Sequence, residues 1–198
     1  MKVSREQATK NRERILDTAA QLFLERGFEG IGVADTMKAA GLTHGAFYGH
    51  FSSKEDLIAQ ACGRAFSRSH ERWSKMAGGT SDDPLSSIVR SYLTRRHRDD
   101  PGAGCAVAAL GPDIARRGSG VRRAVADGLR SAFNLLSGLV PGKSEAARRE
   151  RAISTYASLV GAMVMARAVD DEALSQEILN AVRGSVSGSG ARTNALQR

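Results

Sequence analysis

Residues 32–51 read GVADTMKAAGLTHGAFYGHF, and this stretch decides the fold. Val33, Met37 and Ala40 recur at helical spacing. Gly41 follows where a helix end needs a left-handed residue, a conformation glycine adopts at little cost. The spacing therefore predicts a first short helix that stops at Gly41. Leu42 supplies an apolar group to tuck the turn against a core, and Thr43 offers a side-chain oxygen to the backbone N–H groups of a second helix starting at His44. Gly45, Ala46 and Gly49 strip side chain from one face of that second helix, so its backbone can approach a partner closely. Phe47 and Phe51 are its inward anchors, and Thr43, His44, Tyr48 and His50 remain as polar, reaching groups.

Isolated helices below ~12–15 residues are marginal in water, and each glycine costs up to ~1 kcal/mol relative to alanine, so the second helix needs stabilisation from outside itself. Two short helices crossing through a glycine-containing turn make a helix-turn-helix, whose second helix enters a DNA major groove with its N-terminal residues toward base edges. The run AAGLTHGAFYGHFSSKEDL (39–57), preceded by RILDTAAQLFLERGFEG (14–30), resembles the DNA-binding domain of the TetR family of transcriptional repressors. Two positions depart from that pattern. Gly32 stands where the family commonly has Ser or Thr, and Thr36-Met37 stands for an Ile-Ala pair. Glycine offers no side-chain acceptor there, so Thr36 is the candidate to take over a phosphate contact.

Around this motif the chain reads as helices throughout. Ser4 with Gln7, or Thr9, caps a first helix whose core stripe is Ile15, Ala19, Leu22 and Phe23; Gly27 closes it, and Phe28 folds back on its last turn. Ser52 or Ser53 caps a long fourth helix that runs to about Lys75 or Met76, with Lys54 in its first turn. Gly78–Ser81 breaks the chain. Asp82 or Asp83 then caps a helix with Pro84 at its first position. The stretch 99–104 reads as loop, and CAVAALGPDIARRGSG reads as short helical pieces interrupted at Gly111-Pro112. Longer helices are expected over 119–137 and 144–168. A last one is capped by Asp170 or Asp171, and a Ser/Gly-rich tail expected to be disordered follows.

The resemblance implies an all-α fold: an N-terminal three-helix helix-turn-helix domain joined through the long fourth helix to a C-terminal helical ligand-binding and dimerisation domain. The corresponding segments are a basic arm at 1–8, the DNA-binding domain at 9–69, the effector and dimerisation domain at 70–184 and a tail at 185–198. It also implies a bacterial cytosolic homodimer, joined through its last two long helices, that binds double-stranded operator DNA and is released by a small-molecule effector. Carried onto this sequence, His44 addresses a base edge, Thr43 and Ala46 a phosphate or thymine methyl, Tyr48 a phosphate or a stack beside the backbone, and His50 and Lys54 phosphates; a half-buried aromatic also fits Tyr48, and a cap or core hydrogen bond fits His50. Phe66, Trp73, Tyr92, Leu110, Phe133 and Met163 are candidates to line an effector pocket, though each also fits plain core. Cys105, at the start of a helical piece, is a candidate for oxidant or electrophile sensing; an inert small core residue fits it too.

Composition narrows the alternatives. The 198 residues carry 29 Lys and Arg against 21 Asp and Glu, a formal net charge of +8. Yet residues 1–56 hold eight of each sign, so bulk charge does not point to the suspected DNA domain; the excess lies in 90–151, where thirteen basic residues face six acidic ones. Lys2, Arg5, Lys10, Arg12 and Arg14 form a basic N-terminus able to follow phosphates, a composition an ordinary solvated terminus shares. Two cysteines give neither a disulfide framework nor a zinc site, and no apolar run approaches the ~20 residues of a membrane span. No Gly-rich phosphate loop, metal-ligand pair or nucleophile motif supports an enzyme or calls for a cofactor. A nonspecific DNA-coating protein, or an effector-binding dimer without operator recognition, remains the alternative class.

Overall fold

The computed structural model describes residues 4–81 and 83–188, and every regular element among them is helical. Ser4 opens α1 (Arg5–Arg26) by accepting a hydrogen bond from the Gln7 N–H at 3.1 Å. Residues 5–8, expected in a basic arm, are therefore helical, and Lys2 lies outside the described residues. Ile15, Ala19 and Phe23 are buried along one stripe of α1. Gly27 ends the helix, and the buried Phe28 turns back so that its ring meets Phe23 edge-on at 5.5 Å.

After α2 (Val33–Ala39), Gly41 takes φ 68°. That lets the Leu42 N–H reach the Met37 carbonyl at 2.9 Å and the Gly41 N–H reach Lys38 at 3.0 Å, a Schellman closure. The next element differs from the expected α-helix. His44–Gly49 is a 3-10 helix, carried by Ala46 N–H to Thr43 C=O at 3.1 Å and His50 N–H to Phe47 C=O at 2.9 Å. Thr43 holds the extended backbone of a cap, but its hydroxyl makes no capping bond. Six residues with two glycines have little α propensity, and the tighter helix is the form short pieces take.

The long helix α3 (Lys54–Ala77) starts on reciprocal caps. Ser53 Oγ accepts from the Asp56 N–H, and Asp56 accepts from the Ser52 N–H and hydroxyl, all at 3.0 Å. Asp83 caps α4 (Pro84–Tyr92) by accepting from the Ser86 N–H at 3.0 Å; Asp82, the other candidate cap, lies outside the described residues. The stretch expected as loop opens with the end of α5 (Arg95–Asp99) and continues as a 3-10 turn over Pro101–Ala103. Helix α6 (Ala106–Ala115) runs unbroken through Gly111-Pro112. Gly111, having no Cβ, removes the clash Pro112 would otherwise make with the residue before it, and the helix continues although Pro112 gives up its own N–H bond. Helices α7 (Ser119–Ser137), α8 (Glu145–Ala168) and α9 (Glu172–Gly188) complete the chain. Residues 185–188, expected in a disordered tail, continue α9, and 189–198 lie outside the described residues.

The described chain forms two compact units: residues 4–68 with 101–128, and residues 69–100 with 129–188. The segment 101–128, which the sequence groups with the C-terminal part, packs in the first unit. Gly102 shows why: a Cβ there would stand 2.4 Å from Glu25 Oε1 on α1. Gly128 shows it again, since a Cβ would come within 2.2 Å of the Phe66 ring on α3. In the second unit, Ile88, Leu93, Leu159, Met163 and Leu179 are fully buried. Arg98 ties α5 to α9 through Glu172 at 2.7 Å and Ser175 at 2.9 Å, while Arg167 of α8 donates to the carbonyls of His97 and Arg98 at 2.6 and 3.0 Å. Gly128→Ala is expected to destabilise the protein by about 1–3 kcal/mol through overpacking against Phe66, with Phe66→Leu in the same chain recovering part of the loss. Thermal or denaturant unfolding measures this, and an unchanged midpoint for Gly128→Ala would contradict the close packing.

Candidate nucleic-acid interface

The 3-10 segment is rooted by two aromatics. Phe47 is 1% exposed and Phe51 2%, and their rings stack at 5.7 Å. A chain of side chains braces the Phe51 end. Arg12 of α1 lies 4.9 Å over the Phe51 ring and donates to Gln60, whose amide donates to Asp56 at 2.7 Å, and Asp56 caps Ser52. The Gln60 and Ser52 hydrogen bonds hold the Asp56 carboxyl below its ordinary range. Arg12 is thus committed to the fold, and Lys10 is paired with Glu6 at 2.6 Å.

What the segment leaves outside is polar and reaching. Thr43 and His44 are exposed, Ala46 and His50 are half-buried, and Tyr48 is 71% exposed with its ring edge-on to His44 at 6.3 Å. A Cβ at Gly45 or Gly49 would meet nothing within 4 Å, so both glycines border open space. Lys54 follows in the first turn of α3 with its side chain 34% exposed. Six of the expected DNA-contacting residues therefore sit on one short stretch, 43–54. Thr36 does not join them. It is 0% exposed, and its hydroxyl donates to the Gly32 carbonyl at 3.0 Å, so it belongs to the core. Asp35 makes the other half of a capping box, accepting from the Gly32 N–H at 3.0 Å, while Gly32 gives the first turn of α2 no side-chain cap.

The expected effector residues divide between the units. Phe66 and Leu110 are buried in the first. In the second, Trp73 meets Tyr92 and Tyr156 edge-on, each at 6.0 Å, and Phe133 meets Tyr156 at 5.5 Å, with Met163 buried on the helix that carries Tyr156. Tyr156 is the residue that joins this cluster, and it is not among the pocket candidates read from the sequence. His97 packs against Tyr92 with ring centroids 4.4 Å apart, and burial pushes its pKa down. A polar cleft of about 340 Å³ in the same unit is lined by Arg98, Arg167, Asp171, Glu172 and Ser175 rather than by the expected aromatics. Cys105 is buried at the N-cap position of α6. Cys62 is also buried, with its thiol pushed up to about 12, a value for an unreactive core residue. Among the described residues no group of His, Cys, Asp or Glu is placed to hold a metal.

The family model described as bacterial regulatory proteins, tetR family, matches residues 15–61, from the middle of α1 through α2 and the 3-10 segment to the start of α3. Residues 15–61 thus carry the TetR-family signature. The transcriptional repressor NemR of Escherichia coli K12 is 29% identical over 129 residues, which span 64% of this chain and 65% of that protein. The transcriptional regulator AcrR of Shigella flexneri is 34% identical over 90 residues, 46% of this chain and 41% of that protein. The crystal structure of E. coli NemR in its reduced form superposes with a TM-score of 0.77 at 25% identity, covering 90% of this chain and 96% of that one. A TetR-family regulator from Agrobacterium tumefaciens shares the fold at a TM-score of 0.74 and 21% identity, covering 90% and 98%.

If this TetR-family segment meets DNA as its exposure suggests, substitutions along it separate by role. Lys54→Ala is expected to weaken binding to all duplexes alike and to lower the salt slope by about one ion per protomer, whereas His44→Ala is expected to change sequence preference. Titrations at several salt concentrations check both, and an unaltered slope for Lys54→Ala would remove its phosphate assignment.

Proposed function

We propose that this chain is a sequence-specific DNA-binding transcriptional repressor that acts as a homodimer on a palindromic operator and is released by a small molecule. The observation that carries the reading is the exposure of Tyr48, 71%, on a segment whose neighbouring Phe47 is 1% exposed. A tyrosine set out in water beside a rooted phenylalanine, with Thr43, His44 and Lys54 on the same stretch, forms a contact surface with donors for phosphates and base edges. His44 reads a base edge, Thr43 and Ala46 meet a phosphate or thymine methyl, and Tyr48, His50 and Lys54 hold the backbone.

Dimerisation is supported by apolar groups left outside the second unit. Ile153 and Val164 on α8 and Leu174 on α9 are each more than two-fifths exposed, and Ile153, Ala157, Val160 and Val164 recur at helical spacing on one face. A two-fold pairing through that face presents two recognition segments about 34–36 Å apart, one turn of DNA, and so favours an inverted repeat. The aromatic group of Trp73, Tyr92, Phe133 and Tyr156 is the part of the second unit suited to a small apolar effector. No helix is long and apolar enough to cross a membrane among the described residues, and the named relatives are regulators of transcription. Nonspecific coating fits less well, because the headpiece sequence 1–56 is formally neutral.

Selection from randomised duplex DNA tests the reading. The expected result is an inverted repeat bound ~1000-fold better than scrambled duplex at physiological salt, by two chains per site. Val164→Asp is expected to lower that affinity by breaking the dimer. A folded, dimeric protein that enriches no sequence would overturn the operator reading.

A further inference from the structure

Lys54 shares its nearest carboxylate. Its Nζ lies 4.0 Å from Glu29, and Glu29 also accepts a hydrogen bond from the guanidinium of Arg117. Arg117 comes from the turn between α6 and α7, which belongs to the same compact unit although 88 residues separate it from Glu29. It is held on three sides. Beyond Glu29, its Nη1 stands 3.7 Å from Glu55, and its guanidinium lies 5.1 Å over the Phe28 ring. The adjoining Gly118 N–H donates to Glu55 at 3.1 Å, which docks the turn by its backbone as well. Arg117 is the sheltered member of the group, with 20% of its side chain exposed against 34% for Lys54 and 81% for Glu29.

One carboxylate here serves two cations, and the geometry ranks them. Arg117 makes the hydrogen bond, and Lys54 stands at the outer limit of an ion pair. The Arg117 hydrogen bond is also the largest influence holding the Glu29 carboxyl below its ordinary range, followed by the charges of Arg117 and Lys54. Without the guanidinium, Lys54 is the one cation left beside Glu29 among the described residues, and a lysine drawn onto a carboxylate is lost to a DNA phosphate. We infer that Arg117 is a positioning residue for DNA binding: it occupies Glu29 and thereby leaves Lys54 available for the backbone. The inference rests on the DNA-binding reading above. It also makes phosphate contact at Lys54 depend on the seating of the α6–α7 turn, because α7 begins two residues beyond Arg117.

A simple staple that only fixes the turn would use the same contacts, and a double-mutant comparison separates the two roles. Full-length wild type, Arg117→Ala, Glu29→Gln and the double variant are titrated with the selected operator over a range of salt concentrations, with circular dichroism verifying the fold. Positioning requires Arg117→Ala to bind about tenfold more weakly per half-site and to lose about one ion per protomer from the salt slope. Glu29→Gln should bind as well as wild type or better, and the double variant should regain the affinity and slope that Arg117→Ala lost. Arg117→Ala binding like wild type, Glu29→Gln weakening binding by itself, or a double variant as weak as Arg117→Ala would each overturn the assignment. Wild type that selects no DNA sequence removes the DNA-binding reading and this inference together; wild type that selects an operator while the variants behave as in the staple case removes only the role of Arg117.

Discussion

Burial of Phe47 and Phe51 is the interaction on which the interface depends. The segment between them has no means of standing alone: it is a six-residue 3-10 helix, it contains Gly45 and Gly49, and Thr43 gives it no side-chain cap. Two glycines cost together about 2 kcal/mol relative to alanine, whereas burying a phenylalanine gains about 1.5–3 kcal/mol each time, so the anchors outweigh the segment's own unfavourable propensity. The rest of the first unit serves that burial. Phe23 and Phe28 fill the core, Gly41 sets the angle at which the segment leaves α2, and Arg12 closes the far end over the Phe51 ring. Because the anchors hold the backbone, Tyr48 can stay in water, and His44 is free to face a partner.

Much of this was legible in the sequence because it is written in local patterns. Gly27 and Gly41 mark helix ends by a backbone conformation, and both take positive φ. Ser4, Asp83 and Asp171 announce helix starts by side-chain chemistry that needs only the next three residues, and each accepts the expected bond, as Ser144 does at the start of α8. The stripe of Ile15, Ala19 and Phe23 and the anchors at 47 and 51 follow from periodicity alone. The departures have equally local causes. Gly111 spares α6 the break that Pro112 invites, and α9 carries its helix past Gly184 despite the glycines and serines that follow.

Sequence reasoning missed what depends on pairs distant along the chain. Thr36 is the exception, a local miss: its hydroxyl turns back four residues to the Gly32 carbonyl, a bond open to any Ser or Thr in a helix, and is not left for the phosphate role read for it. Nothing near Arg117 says that it lies against Glu29 and Phe28, and a cluster of basic residues in 90–151 reads as surface charge until the fold shows where one of them goes. The same holds for Tyr156, which joins Trp73 to Phe133 across three separate helices. The neutral charge of the first 56 residues is likewise informative only in space: the carboxylates of Glu29 and Asp56 are taken up by partners inside the unit, which leaves the face at 43–54 to its histidines, tyrosine and lysine.

The central claim is that a single rooted segment, 43–54, meets DNA. Hydrogen–deuterium exchange of the full-length protein, with and without a duplex it binds, tests that most directly. Slowed exchange centred on residues 41–54 is the result the account requires, with the amides of His44–His50 changing most. Protection confined to α8 and α9, with the 3-10 segment exchanging as fast as in the free protein, would contradict it.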